Sequence, residues 1–324
     1  MTAKAKKLLS ILLKLAILLL AFYGVYRKTQ EKNDDIHKFI KLVSDIPVQN
    51  VVITLAFILL LMLLNYLLES LKWWHLAREL SPISVWEAVE SVFCGLTWAV
   101  FTPNRIGEYG GRVMFLQPRK RIHGVFAMAV GSFGQNVITN VLGASAGVWF
   151  LYSYLHLNQW FMLGIDVLAA IFIATMLTFY FNIKWMVSLL NRVKFLEKYH
   201  RFFDIMGKYN FRELLNIMWF CLARFFVFTF QYYLIIHLLI PQMPLITMAL
   251  LMFVFFFLQS AIPSWDIIDI AIRSHIAIFL FGFVTDKTIS VVVSVSLIYI
   301  TNLVMPAILG SVFVLKLKFF DRNN

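Results

Sequence analysis

Apolar residues arrive along this chain in blocks of roughly 20 or more, the length that crosses a hydrocarbon core of about 30 Å as a helix rising about 1.5 Å per residue. Six blocks predict full spans: about Leu8 to Tyr26, Val48 to Leu68, Ile122 to Leu155, Trp160 to Asn182, Leu214 to Ile240 and Thr288 to Leu315. Two further apolar stretches are cut short. Ala88 to Phe101 stops at the segment Thr102 to Arg112, which holds Pro103 and three glycines. Leu245 to Ala261 stops at Ile262-Pro-Ser-Trp-Asp266 and resumes from Ile267 to Val284. Proline has no N–H to give a helix and clashes with the preceding turn, so each stretch reads as half-helix, break, half-helix. The pattern predicts an all-α polytopic membrane bundle with about six full spans and two re-entrant broken-helix hairpins, residues 88–117 and 245–284.

The whole chain, 1–324, reads as a single membrane domain. Residues 1–46 form a first span and outer loop, 47–155 a first repeat, 156–212 a fourth span and basic loop, and 213–324 a second repeat. Lys4, Lys6 and Lys7 at the N-terminus resemble the start of a secretory signal. The apolar run that follows exceeds a signal's apolar core, and no A-x-A site follows it, so a retained span is expected. Lys14 within it reads as a side chain snorkelling to the interface. The second span closes on Glu69-Ser-Leu-Lys72-Trp73-Trp74-His75, a cluster expected at the membrane interface. Gly143-x-x-x-Gly147 with Ala144 and Ala146 offers a small-residue face for close helix packing. The Lys184 to Arg212 segment is expected to be an amphipathic surface helix.

Charge sharpens the picture. Charged residues make up 14 % of the chain, against roughly 25 % in a soluble domain, so bilayer rather than water is the expected solvent. The net charge of +12 fits loop topology and contact with anionic lipid better than nucleic acid, because the basic residues are spread over several loops. With both termini cytoplasmic in a cell (inner) membrane, the basic segments at Arg78, Arg119 to Arg121, Lys184 to Arg212 and the C-terminus all fall inside. The loops at His156 and Pro241, without Lys or Arg, fall outside. The loop from Arg27 to Asp45, which holds basic and acidic residues, is the misfit. Cys94 and Cys221 lie in apolar segments without metal-ligand spacing, and no cofactor is expected. No nucleophile motif, H-E-x-x-H, P-loop or dinucleotide-binding glycine pattern occurs, which argues against an enzyme.

Under this topology the two hairpins enter from opposite sides, as in an inverted repeat that places a site at mid-membrane. Each carries an acid-x-x-x-Arg pair after its proline, Glu108 with Arg112 and Asp269 with Arg273. Residues four apart share a helix face and can neutralise each other, which limits the cost of burying charge in hydrocarbon. One reading is that these pairs pin the broken helices. The other is that Arg105, Arg112 and Arg273, with the half-helix N-termini, receive a phosphate-bearing headgroup. Arg224 sits near the middle of the fifth span and needs a partner from another helix, for which Asp166, Asp266 and Glu108 are candidates. Gln135 and Asn136, with Thr139 and Asn140, form a polar patch that either bonds between helices or lines the same site. Gln231 and Asn302 read as packing residues.

Asn65-x-x-x-Glu69-x-x-Lys72-Trp73, the segment Thr102-Pro103-Asn104-Arg105-Ile106-Gly107-Glu108 with Arg112, and the later Pro263 hairpin resemble the lysylphosphatidylglycerol synthase transmembrane-region family. The resemblance covers nearly the whole chain. Many members carry a glycine-rich P-x-G-G-x-G-x-R-E in the second hairpin, where this chain has Pro263-Ser-Trp-Asp-Ile-Ile-Asp-Ile-Ala-Ile-Arg273. The resemblance implies a flippase-like domain that moves phospholipids or lipid-linked molecules between leaflets. In that family aminoacyl transfer belongs to a separate soluble domain, which no segment here supplies, so lysyl-lipid synthesis is not expected. Two alternatives stay open. One is an accessory membrane subunit for a lipid- or glycan-modifying enzyme, with 184–212 as the docking surface for a protein partner. The other is an intramembrane enzyme built on Glu108, Asp266 and Asp269.

Overall fold

The computed structural model describes residues 41, 44, 46–100, 102, 105–155, 157–191, 205–262 and 266–316. Every regular element among them is helical: α1 (Val48–Ala77), α2 (Val85–Val100), α3 (Ile106–Val113), α4 (Arg121–Tyr154), α5 (Gln159–Phe181), α6 (Ile183–Asn191), α7 (Phe211–Leu239), α8 (Leu245–Ala261), α9 (Asp266–Phe281), α10 (Thr288–Tyr299) and α11 (Met305–Lys316). Five helices are long and apolar enough to cross a bilayer: α1, α4 with the turn before it, α5, α7, and α10 continued into α11. They match the second to sixth expected spans. The expected first span, both prolines at the expected breaks, Pro103 and Pro263, and 192–204 of the basic loop lie outside the described residues.

Local chemistry sets several helix starts. Before α7, Asn210 Oδ1 accepts from the Glu213 N–H at 3.0 Å while Glu213 Oε2 accepts from the Asn210 N–H at 2.8 Å, so two orphan donors are satisfied together. Ser84 and Glu87 make the same reciprocal pair ahead of α2, at 3.1 and 2.7 Å. Between α10 and α11 the helix widens into a π turn over Ile300–Val304. Pro306 has no N–H to bond back into the preceding turn, which is the ordinary cause of such a local widening. The Asn302 carbonyl at this turn instead accepts from the Tyr66 hydroxyl of α1.

Helix α1 runs to Ala77 rather than ending near Leu68, and Glu69, Lys72 and Trp73 are buried. The charged and aromatic cluster expected at the interface therefore points into the bundle. Burial is tolerable there because the charges meet partners on other helices. Next to this end of α1, the Tyr209 hydroxyl donates to the Leu76 carbonyl at 3.2 Å, and burial pushes its phenol above the ordinary range.

Helices α2 and α3 pack closely on each other; α2 lies beside α1 and α11, and α3 against α4. A Cβ at Gly111 would come within 2.6 Å of Gly95 Cα, so the two backbones approach as only paired glycines allow. Gly310 of α11 lies as tightly on the Phe93 carbonyl, and the Thr97 hydroxyl donates to the Ala307 carbonyl at 2.8 Å. Of the expected small-residue face of α4, Gly143, Ala144 and Ala146 are buried and Gly147 is not. A Cβ at Gly143 would meet Phe257 Cβ of α8 at 2.4 Å, whereas Gly147 faces open space. Helices α7 and α8 join through Phe225, Phe228, Phe253, Phe256 and Tyr232.

Candidate functional site

The short helix α3 is positioned at its first turn. The Thr102 hydroxyl accepts from the Gly107 N–H at 2.7 Å, and Gly107 lies so close to the Trp98 carbonyl that a Cβ would stand 2.3 Å away. Between them Arg105 takes a left-handed backbone with φ 56°, the one positive φ at a non-glycine among the described residues. For a residue with a long side chain that conformation costs about 1–2 kcal/mol. The surrounding contacts hold it there.

From this start, α3 aims Glu108 and Arg112 at α1. Arg112 bonds Glu108 one turn back, as the spacing predicts, and also donates to Glu69 Oε1 at 2.6 Å. Glu69 Oε2 in turn accepts from Lys72 at 2.8 Å and from Arg224 of α7. Arg224 further donates to Asn65 Oδ1 at 2.8 Å and reaches Gln135 Oε1 of α4 at 3.4 Å. Arg105 Nε lies 3.7 Å from Glu108 Oε2 at the more open edge. Four helices thus converge on one ionic network centred on Glu69.

The network is deep. Glu69 stands eight residues before the end of α1, and Arg224 thirteen residues into α7, or roughly 12 and 20 Å along the helix axes. Among the described residues its charge does not balance: Lys72, Arg112 and Arg224 face the carboxylates of Glu69 and Glu108, three cations against two carboxylates. Exposure is graded, from 2 % for the Arg112 side chain through 20 % for Arg224 to 38 % for Arg105. The cations become more accessible toward Arg105 and Arg224.

Asp269 and Arg273 of α9 form the expected pair, at 2.6 Å, with the guanidinium 5.6 Å from the centre of the Tyr299 ring. No hydrogen bond or ion pair joins this pair to Glu69 or Glu108 among the described residues. Asp266 opens α9, and its side chain lies outside the described residues. Asn136 is exposed and engages Asn140 through its backbone carbonyl at 2.7 Å, so Gln135 alone of the polar patch reaches the network.

Of the expected partners of Arg224, Asp166 instead accepts from the Tyr152 hydroxyl at 2.7 Å on an exposed face, and the side chain of Asp266 lies outside the described residues. Among the described residues Arg224 bonds Glu69, Asn65 and Gln135, and no bond joins it to Glu108. Glu69, Asn65 and Lys72 were not among the expected site residues. Their signal was present in the sequence: Ile58, Met62, Asn65, Glu69, Lys72 and Leu76 step by three and four and so share one buried stripe of α1. A charge in that stripe faces other helices, not lipid.

Among the described residues no group of three His, Cys, Asp or Glu side chains is placed to hold a metal ion. No protein-family profile matches the chain, and no curated protein sequence is similar to it.

Proposed function

We propose that this protein is a flippase-like translocase that moves a phospholipid or lipid-linked molecule between the leaflets of a cell membrane. The observation that carries this reading is the charge-unbalanced network around Glu69, set well inside helices long enough to span. Ionisable groups at that depth cost several kcal/mol unless paired or hydrated, and they mark pathways for polar cargo. In this reading α2 with α3, and α8 with α9, are re-entrant units entering from opposite sides, with both termini cytoplasmic. The polar head of the lipid crosses beside the network while its tails stay in the surrounding hydrocarbon.

The test is leaflet exchange of fluorescent lipids by the purified chain in liposomes, with and without an ion gradient. Arg112→Ala and Glu108→Ala are expected to abolish exchange while the protein still reconstitutes. Unchanged exchange in both variants would remove the network from the transport path.

A further inference from the structure

We infer that the network is an anion site already filled by the protein's own carboxylate: a net-anionic lipid headgroup binds through its phosphate to Arg224 and Arg105 and displaces Glu69 from Arg224. The inference rests on the lipid-handling reading only for the source of the phosphate. The anion chemistry stands on the geometry.

Glu69 is more heavily engaged than one carboxylate needs. Its Oε1 takes Arg112, and its Oε2 is shared between Lys72 and Arg224. Losing Arg224 would leave Glu69 with two cations, so the exchange strips no buried charge of its partners. Arg224 is suited to exchange. Its Nε and one terminal nitrogen hold Asn65, Glu69 and Gln135, while the other terminal nitrogen takes part in none of these bonds, and the side chain is a fifth exposed. The non-bridging oxygens of a phosphodiester offer the same forked acceptor as a carboxylate, which matches a guanidinium edge.

Two further observations point to an anion. Arg112 is fully buried, yet its Nε has no hydrogen-bond acceptor among the described residues, so donor capacity is left unused beside Glu69. Arg105 is held in a strained backbone at the accessible edge, and strain of that kind persists where a side chain must be aimed. The excess of cations among the described residues then has a role. It makes the site net attractive to an anion while Glu69 keeps the empty state from carrying the full cationic load.

The experiment measures binding of dioctanoyl phosphatidylglycerol, dioctanoyl phosphatidylcholine and inorganic phosphate to the full chain in detergent, by thermophoresis. Removing the competitor with Glu69→Gln is expected to tighten phosphatidylglycerol binding about fivefold or more, and Arg105→Gln to weaken it about tenfold, the scale of one charge-assisted pair. Weaker or unchanged binding by a monodisperse Glu69→Gln protein overturns the inference. If that variant does not fold, Arg105→Gln decides, and unchanged phosphatidylglycerol binding overturns it. Equal binding of phosphatidylcholine, or of phosphate alone, overturns the assignment to a net-anionic headgroup. Leaflet exchange measured on the same preparations separates the two proposals. Binding that shifts as stated without any exchange sinks the translocase and keeps the anion site, and exchange that persists while phosphatidylglycerol binding is unchanged by Arg105→Gln does the reverse.

Discussion

Glu108 with Arg112 and Asp269 with Arg273 are the same four-residue device, yet the protein surrounds them differently. The first pair is tied into Glu69, Lys72 and Arg224, with three cations against two carboxylates. Among the described residues the second shows one carboxylate facing one guanidinium, with the Tyr299 ring beside it. The helices around them differ in the same sense. Helices α2 and α3 meet glycine on glycine, while α8 and α9 contain no glycine and touch sparingly. An acid and an arginine one turn apart can therefore stand in different company: at Arg112 a carboxylate from another helix joins them, which i,i+4 spacing alone does not foretell.

The largest way to break the contrast is to remove the arginine from each pair. Arg112→Met leaves Glu69 and Glu108 short of a buried partner and is expected to cost about 3–5 kcal/mol. Arg273→Met, which takes one partly exposed guanidinium from the single buried carboxylate of Asp269, is expected to cost less, about 1–3 kcal/mol. Thermal unfolding in detergent checks both, and equal losses would make the two pairs equivalent. Next comes the backbone seam. Gly111→Ala drives a methyl into Gly95 and should destabilise by about 1–3 kcal/mol, with leaflet exchange falling because α3 carries Arg112. Tyr66→Phe removes the buried hydroxyl bond to the Asn302 carbonyl and should cost about 1–3 kcal/mol, read in the same melts, which would show that the π turn depends on α1. Smallest is the open end of the α4 seam. Gly147→Ala meets nothing within 4 Å and should be neutral or stabilise by about 0.5–1 kcal/mol, whereas Gly143→Ala should destabilise.

Much of the architecture was legible in advance. The apolar blocks gave the five helices long and apolar enough to cross a bilayer, with α1 continuing to Ala77 beyond its expected end, because a helix in hydrocarbon must satisfy its own backbone and match the bilayer in length. The break between α2 and α3 and that between α8 and α9 also fall where the expected segments placed them. The site was legible in part. Glu108–Arg112 and Asp269–Arg273 followed from i,i+4 spacing alone. The partner of Arg224 did not follow, since spacing along one helix says nothing about which face of another helix it meets.

Glu69 shows the division most clearly. Its sequence position, one residue past an expected span end and beside two tryptophans, is what an interface looks like, and reading it otherwise needed the stripe of α1 as a whole. The sequence by itself determined where the long apolar helices run, because that depends on local length and apolar composition. Only the tertiary structure decided which charges meet: residues 69, 112 and 224 are brought together by the close packing of separate helices, and the balance of charge in the bundle is a property of that meeting.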